Sequence, residues 1–353
     1  MSGNTSIVQS TPGFVTGTFA AKDVRLNTLG NALPGLFEAG DFAVSQRGAG
    51  ANMSVDIAQG RAIIDPQAAT HQGSYSVYRT NGTAYNTSAD GGYTWTAADG
   101  TNPRIDLLCL EIKDTAVDSS GVTGFRFRIV DGTPNASATH QLEAAFWPAI
   151  PTGCVPIAAI RVPAAATTLT TTNITNLNPV GGGRRTFNDA ATSETTTSAT
   201  YARLATPDFA FMYVPANSLV HLFHQALIKI SVASGTQKLA WFVNGNQAKF
   251  SSSAGTGVPA VSEFSATLGT FFSHIVTGIG APSNAVWRET NVATADQTDV
   301  TTGTFPSDAG TTTIGGYVPI FGLPAGWYLF EVKYQTSANT LTVKNRYSRG
   351  FVA

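Results

Sequence analysis

His221 and His224 stand three residues apart in "SLVHLFHQALIKI". On a helix that spacing would place both imidazoles on one face, where they could share a metal ion. On a strand, residues three apart point to opposite faces. Val220, Leu222, His224, Ala226, Ile228 and Ile230 recur at every second position, which is the period of a strand. The segment is therefore expected to be extended, and no metal pair forms. His224 is left on the apolar side, where it must be neutral and hydrogen-bonded or sit at an interface. His71, His140 and His274 are isolated.

Hydrolysis of a glycosidic bond needs two carboxyl groups facing that bond. Asp99, Asp106, Asp114 and Asp131 are scattered through turns and strand-like runs and read as solvated turn groups and caps. Asp106 differs, because Arg104 precedes it by two. Both then lie on one face of a strand and can pair, and the pairing reads as structural. "VGGGRRT" lacks the Lys-Ser/Thr of a phosphate-binding loop, and no helical pattern follows it; it reads as a hinge. No G-x-S-x-G occurs. The expectation is a chain with no catalytic residues, no metal and no cofactor.

One motif has a carbohydrate association. "SADGGYTW", Ser88 to Trp95, matches S-x-D-x-G-x-T-W, the Asp-box of sialidases and related propellers. Ser88 and Asp90 can bond turn amides, Gly92 can take a positive φ, and Trp95 can pack beneath. Those jobs brace a hairpin and touch no substrate. In sialidases the box repeats from blade to blade, whereas this chain has one copy, so the motif reads as a structural turn.

The elements that must position these residues are strands. Of 353 residues only 12% are charged, and the net charge is −1. That balance gives no electrostatic footprint for nucleic acid or an anionic membrane surface. No run approaches the ~18 apolar residues of a membrane-spanning helix, and the first residues lack the basic start and apolar core of a secretion signal. Thr, Ser, Ala, Gly and Asn replace the missing charge and suit short strands and tight turns. "GFRFRIVDG" alternates cleanly, with Phe125, Phe127 and Ile129 on one face and Arg126 and Arg128 on the other. "RIDLLCLEI" is apolar on both faces, as a central strand would be. "CVPIAAIRVPA" is either pushed toward an edge or bounded by Pro156 and Pro163. Asn244-Gly245 signals a two-residue hairpin. Near the C-terminus Tyr328, Phe330, Val332 and Tyr334 alternate, and Leu341, Val343 and Tyr347 continue the pattern. Cys109 and Cys154 lie in apolar runs and read as buried free thiols.

The class expected is all-β. Residues 1–50 form an N-terminal docking arm with one short candidate helix, Ala20 to Leu29. Residues 51–180 form a β-rich shoulder, 181–200 a Gly/Thr/Ser linker, and 201–353 a jelly-roll-like antiparallel β-sandwich. Exposed aromatics on such a sandwich are a platform for sugar rings. Trp287 in "NAVWRET" and Tyr317 in "IGGYVPI" have polar or Gly-rich flanks and are the candidate carbohydrate-binding residues.

The block 52–180 also resembles structural proteins of tailed phages. "AADGTNPRIDLL", "VDGTPNAS" and "IAAIRVPAAATTLTTTNITNL" are similar to stretches of the fibre-like and minor tail proteins of phages infecting Actinobacteria. "PAGWYLFEV" followed by "LTVKNR" is loosely similar to the last strands of C1q-like trimeric heads. The resemblance implies a non-enzymatic virion component, usually a homotrimer. Its N-terminal part would dock to other virion proteins, and its C-terminal part would face a host-surface glycan or receptor. A capsid fibre or decoration protein, and a polysaccharide-degrading tail spike, are the alternatives. The Asp-box-like hairpin before "NPRIDLL" is a departure from that family and leaves a carbohydrate role open.

Overall fold

A computed structural model of the chain describes residues 6–7, 33–65, 75–79, 85–88, 94–113, 115, 124–180, 186–190, 193–216, 218–230, 237–247, 273–278, 312–321, 323–336 and 340–352. The fold is all-β and antiparallel, in two compact units that meet in sequence between Arg184 and Arg185.

The first unit carries β1 (Ser6–Ile7), β2 (Gly35–Leu36), β3 (Val44–Gln46), β4 (Val55–Ile57), β5 (Gly60–Ile64), β6 (Tyr75–Arg79), β7 (Tyr85–Asn86), β8 (Arg104–Lys113), β9 (Gly124–Val130), β10 (Cys154–Val162) and β11 (Ile174–Asn176). They form three small sheets, ordered β1–β6–β5–β2, β3–β4–β7 and β11–β10–β8–β9. β8 is buried at every position except Lys113, as its two-sided apolar sequence requires. β10 lies inside its sheet, between β11 and β8, and not at an edge. Pro156 cannot donate to the ladder, and the register slips between Pro156 and Ala158. That bulge lets an interior strand tolerate the proline.

Phe125 and Phe127 of β9 are buried, and both meet the ring of Phe42 edge-on with centroids 5.9 Å apart. Phe42 is fully buried, as is Leu36, and Val44 is nearly so. Leu36, Phe42 and Val44, in the stretch expected as a docking arm, thus pack into the first unit's core. The strands there are two or three residues long, too short to show a period in sequence. A side-chain amide ties them down: Asn176 Nδ2 donates to Val44 O at 3.0 Å while Val44 N donates to Asn176 Oδ1 at 2.7 Å. The candidate helix at 20–29 lies outside the described residues. β4 and β5, separated only by Ala58 and Gln59, belong to different sheets. Gly60 is required by proximity: a β-carbon there would stand 2.3 Å from Phe42 N.

The second unit carries β12 (Thr186–Ala190), β13 (Glu194–Thr196), β14 (Asp208–Val214), β15 (Leu219–Ile230), β16 (Gln237–Val243), β17 (Asn246–Gln247), β18 (Ser273–Gly278), β19 (Thr312–Phe321), β20 (Gly326–Thr336) and β21 (Leu341–Val352). One sheet runs β12–β21–β15–β19–β18, with β13 also on β21; the other runs β14–β20–β16–β17. The chain crosses between sheets at β13–β14, β14–β15, β15–β16, β17–β18, β19–β20 and β20–β21, and this alternation makes a jelly-roll-like sandwich. β12 and β13 pair along β21, so much of the stretch expected as a linker is sheet. Asn244 (φ 48°) and Gly245 (φ 83°) join β16 to β17 with both residues left-handed, the turn their sequence predicts.

The interior of this sandwich follows the alternation of β15, where Val220, Leu222, His224 and Ala226 are all fully buried. On β21 the phase changes. Gln225 is opposite Tyr347 and Leu227 is opposite Lys344, so two β21 residues face the single residue Ala226. The bulge switches the inward positions from Leu341 and Val343 to Arg346, Ser348, Gly350 and Val352. Tyr347, expected to continue the apolar face, is turned away, and the charged Arg346 goes inside.

Candidate functional site

Among the described residues a hollow of about 300 Å³ opens beside β9, lined by Thr94, Thr96, Arg126, Phe127, Arg128, Ile129 and Asp131. Both faces of β9 contribute, and β9 is the last strand of its sheet, so the hollow lies along the strand's outer edge. Its far rim is formed by Thr94 and Thr96, at and just past the end of the Asp-box-like motif. Thr96 Oγ1 donates to Asp131 Oδ2 at 2.7 Å and joins that rim to the end of β9.

Two buried residues of β8 hold both rims. Arg104 donates through Nη1 to Ala97 O at 2.9 Å and through Nη2 to Thr96 O at 2.7 Å. Its Nε faces Asp106, whose Oδ1 accepts the N–H of Gly132 at 2.8 Å. Arg104 therefore fixes the 96–97 segment while Asp106 fixes the turn that carries Asp131. Burial pushes the Asp106 carboxyl up to about 6, against the opposing pull of the Gly132 N–H and Arg104. The expected Arg104–Asp106 pair is present, and it is scaffolding beneath the hollow.

The opposite wall is cationic. Arg126 Nε donates to Glu111 Oε2 at 2.5 Å and Arg128 Nη1 to Glu111 Oε1 at 2.7 Å, with Lys113 Nζ 3.6 Å from the same carboxylate. Cross-strand register makes this cluster, since Arg126 lies opposite Glu111 and Arg128 opposite Cys109. Burial raises the Glu111 carboxyl, but the hydrogen bonds and charges of Arg126 and Arg128 outweigh it and hold the group below the usual carboxylate range. Arg126 and Arg128 thus bring two positive charges to the one carboxylate of Glu111. Cys109 and Cys154 are buried free thiols. Burial pushes both up, Cys154 to about 11, so neither is a nucleophilic thiolate at neutral pH.

Of the Asp-box-like residues, Ser88 is half-buried and its N–H donates to Asn86 Oδ1 at 3.0 Å. Asp90 and Gly92 lie outside the described residues. Trp95 is buried, and its backbone N–H donates to Met53 O at 2.9 Å; its indole N–H finds no acceptor among the described residues. Trp287 lies outside the described residues. Tyr317 has its backbone in β19, opposite Phe223 and Ser273, and its side chain lies outside the described set. Asp99 accepts the N–H groups of Asn102 and Thr101, which lower its pKa, as a turn cap does. Asp114 and His71 lie outside the described residues. Among the described residues no group of three or more His, Cys, Asp and Glu is placed to hold a metal ion.

The second unit contains a polar chain that looks catalytic by composition. His224 Nδ1 lies 2.8 Å from Ser348 Oγ, His224 Nε2 lies 2.8 Å from Tyr334 Oη, and Tyr334 Oη donates to Asp208 Oδ2 at 2.7 Å. Tyr334 has one proton and gives it to the carboxylate. Nε2 must then carry the imidazole proton, and Ser348 must donate to Nδ1. Asp208 Oδ1 faces Arg346 Nε at 3.5 Å, and Arg346 Nη2 donates to Glu194 at 3.0 Å. His224, Ser348 and Arg346 are fully buried and Tyr334 and Asp208 nearly so, so no substrate reaches them. Burial pushes His224 down to about 3, with the Arg346 charge adding to the effect, and pushes Asp208 up to about 6. His221, on the other face of β15, stacks on Phe351 at 4.4 Å, and the two histidines point apart as strand geometry requires.

No protein-family model matches the chain, and no curated protein sequence does. Among solved structures, the infectious bursal disease virus VP2 subviral particle is 8% identical and spans 91% of this chain and 75% of its own, with a TM-score of 0.15. The Gt strain of the same virus gives 8% identity, 91% and 79% coverage and a TM-score of 0.15. At these TM-scores the similarity carries no argument.

Proposed function

We propose that this chain is a structural protein of a phage virion, a tail fibre or minor tail protein, that contributes to attachment at a host-surface glycan. The observation that carries the reading is the second unit's sandwich. β12–β21–β15–β19 packs on β14–β20–β16–β17, and in its interior His224, Tyr334, Asp208 and Arg346 engage one another. That interior stabilises a fold and leaves recognition to the surface, as in an adhesive head. The resemblance of the 52–180 block to fibre-like phage proteins supports the same reading. So does a low-charge composition of Thr, Ser and Gly, which suits a subunit that hides lateral surface in a homotrimer. Weak contacts in each copy would be multiplied by valency.

Cryo-electron microscopy of particles with antibody-labelled protein tests the location. Label at the tail is the expected result, and label confined to the capsid would move the protein to a head fibre. Light scattering of the purified chain tests assembly, with the mass of three chains expected. Release of reducing ends from host cell-wall glycans would overturn the non-enzymatic reading.

A further inference from the structure

We propose that the hollow along the outer edge of β9 binds a carboxylate-bearing saccharide, with the acid on Arg126 and Arg128 and ring hydroxyls on Asp131 and the threonine rim. The assignment goes beyond attachment in general and stands whether or not the chain belongs to a virion. It rests on the complementary chemistry of the two walls.

On the cationic wall, Glu111 takes one N–H from each arginine. Each guanidinium keeps further donors in a planar fork suited to a carboxylate. Their side chains are 56% and 39% exposed, whereas Glu111 is 6% exposed, so the anion that gathers the arginines lies beneath them and an incoming acid meets the forks. On the other wall, Asp131 accepts the Thr96 hydroxyl through Oδ2, which leaves Oδ1 as a further acceptor on a residue that lines the hollow.

This pairing of walls discriminates among ligands. A bare sulfate offers Asp131 no proton and is repelled by it. A neutral sugar satisfies Asp131 and the threonines but leaves the positive charge of the arginine wall unused. A uronic acid carries a carboxylate and several hydroxyls on one ring and uses both walls. About 300 Å³ is at the small end of ligand clefts and fits one ring of a longer chain. The site is also set in advance. Arg104 and Asp106 fix the Thr96 and Asp131 sides from below, so little ordering is required on binding.

Titration calorimetry of the full chain with trigalacturonate, maltotriose, sodium acetate and sodium sulfate at matched ionic strength tests this. Trigalacturonate is expected to bind, with maltotriose, acetate and sulfate at least about tenfold weaker, the size of one charge-assisted hydrogen bond. Arg126→Gln with Arg128→Gln should abolish the difference between trigalacturonate and maltotriose. Because that change also strips partners from Glu111, Asp131→Ala serves as a second variant that leaves the Arg–Glu111 cluster whole. It should weaken trigalacturonate several-fold and leave acetate unchanged. Equal binding of maltotriose, equal binding of sulfate, or unchanged affinity in Asp131→Ala would each overturn the assignment. None of these outcomes bears on particle location, which the labelling experiment tests separately.

Discussion

Arg104 Nε sits 3.0 and 3.1 Å from the two carboxylate oxygens of Asp106, both residues lying on one buried face of β8 two positions apart. Each partner spends its remaining capacity on backbone: Arg104 on the carbonyls of Thr96 and Ala97, Asp106 on the N–H of Gly132. An ion pair with no net charge to offer a ligand thus fixes the positions of Thr96 and Asp131, which have something to offer.

Replacing Arg104 with methionine should therefore cost about 3–5 kcal/mol, the usual penalty for stranding one member of a buried pair. The penalty should depend on pH. Asp106 already has its pKa raised to about 6, so its contribution to stability is present below about 3.8 and is lost as pH rises through 6. Removing the arginine raises the carboxyl further, so the Arg104→Met penalty should be larger at pH 8 than at pH 5. Urea denaturation at the two pH values, followed by the fluorescence of the first unit's tryptophans, measures this. A penalty independent of pH would show that Asp106 does not ionise in the folded wild type over that range.

Two glycines separate steric from backbone cost. A β-carbon at Gly132 would lie 2.1 Å from Ile105 O, a backbone atom that cannot swing aside, whereas at Gly245 (φ 83°) it would meet nothing within 4 Å. Gly245→Ala should cost about 1–2 kcal/mol, the price of a left-handed alanine. Gly132→Ala should cost more, and it should also weaken the Asp106 hold on its turn. The melting temperature of each variant orders them, and an equal loss at both would argue that the Gly132 turn relaxes freely.

Much of this fold is legible in sequence where strands are long. β8 is apolar on both faces over Leu107–Leu110, and β9 and β15 alternate in sequence, so their faces can be read directly. The Arg104–Asp106 pair is legible for the same reason, since a spacing of two is enough on a strand. Residues 33–50 are not, because two- and three-residue strands carry no period. Nor is β12, "TFNDA", whose polar residues carry no apolar alternation. The bulge on β21 leaves no mark in sequence and reverses every inward position after it. The arginine wall escaped for a different reason: Arg126 and Arg128 are visible as a polar face, but Glu111 reaches them only through register with β8, 15 and 17 residues away along the chain. The hollow needs that register and the 94–97 segment together, and no local pattern encodes both.

His224 offers the sharpest pH test, because its place in the sandwich leaves it one protonation state. Ser348 donates into Nδ1, and Nε2–H points to a tyrosine oxygen whose own proton is committed to Asp208. A second imidazole proton would have to displace Ser348 beside the buried Arg346 cation. The folded pKa of about 3 lies below the ordinary 6.5, so the stability His224 contributes is present above pH 6.5 and is lost as pH falls toward 3. Asp208, raised to about 6, works in the opposite sense. Its contribution is present below about 3.8 and lost as pH rises through 6, so the wild-type profile alone is blunted. Comparing wild type with His224→Gln at each pH cancels the Asp208 contribution. The variant should be destabilised at pH 7, and the gap should shrink by about 1.4 kcal/mol per pH unit between 6.5 and 4. A gap that stays constant over that range would mean that His224 is already protonated in the fold, with Nδ1 donating to Ser348 Oγ.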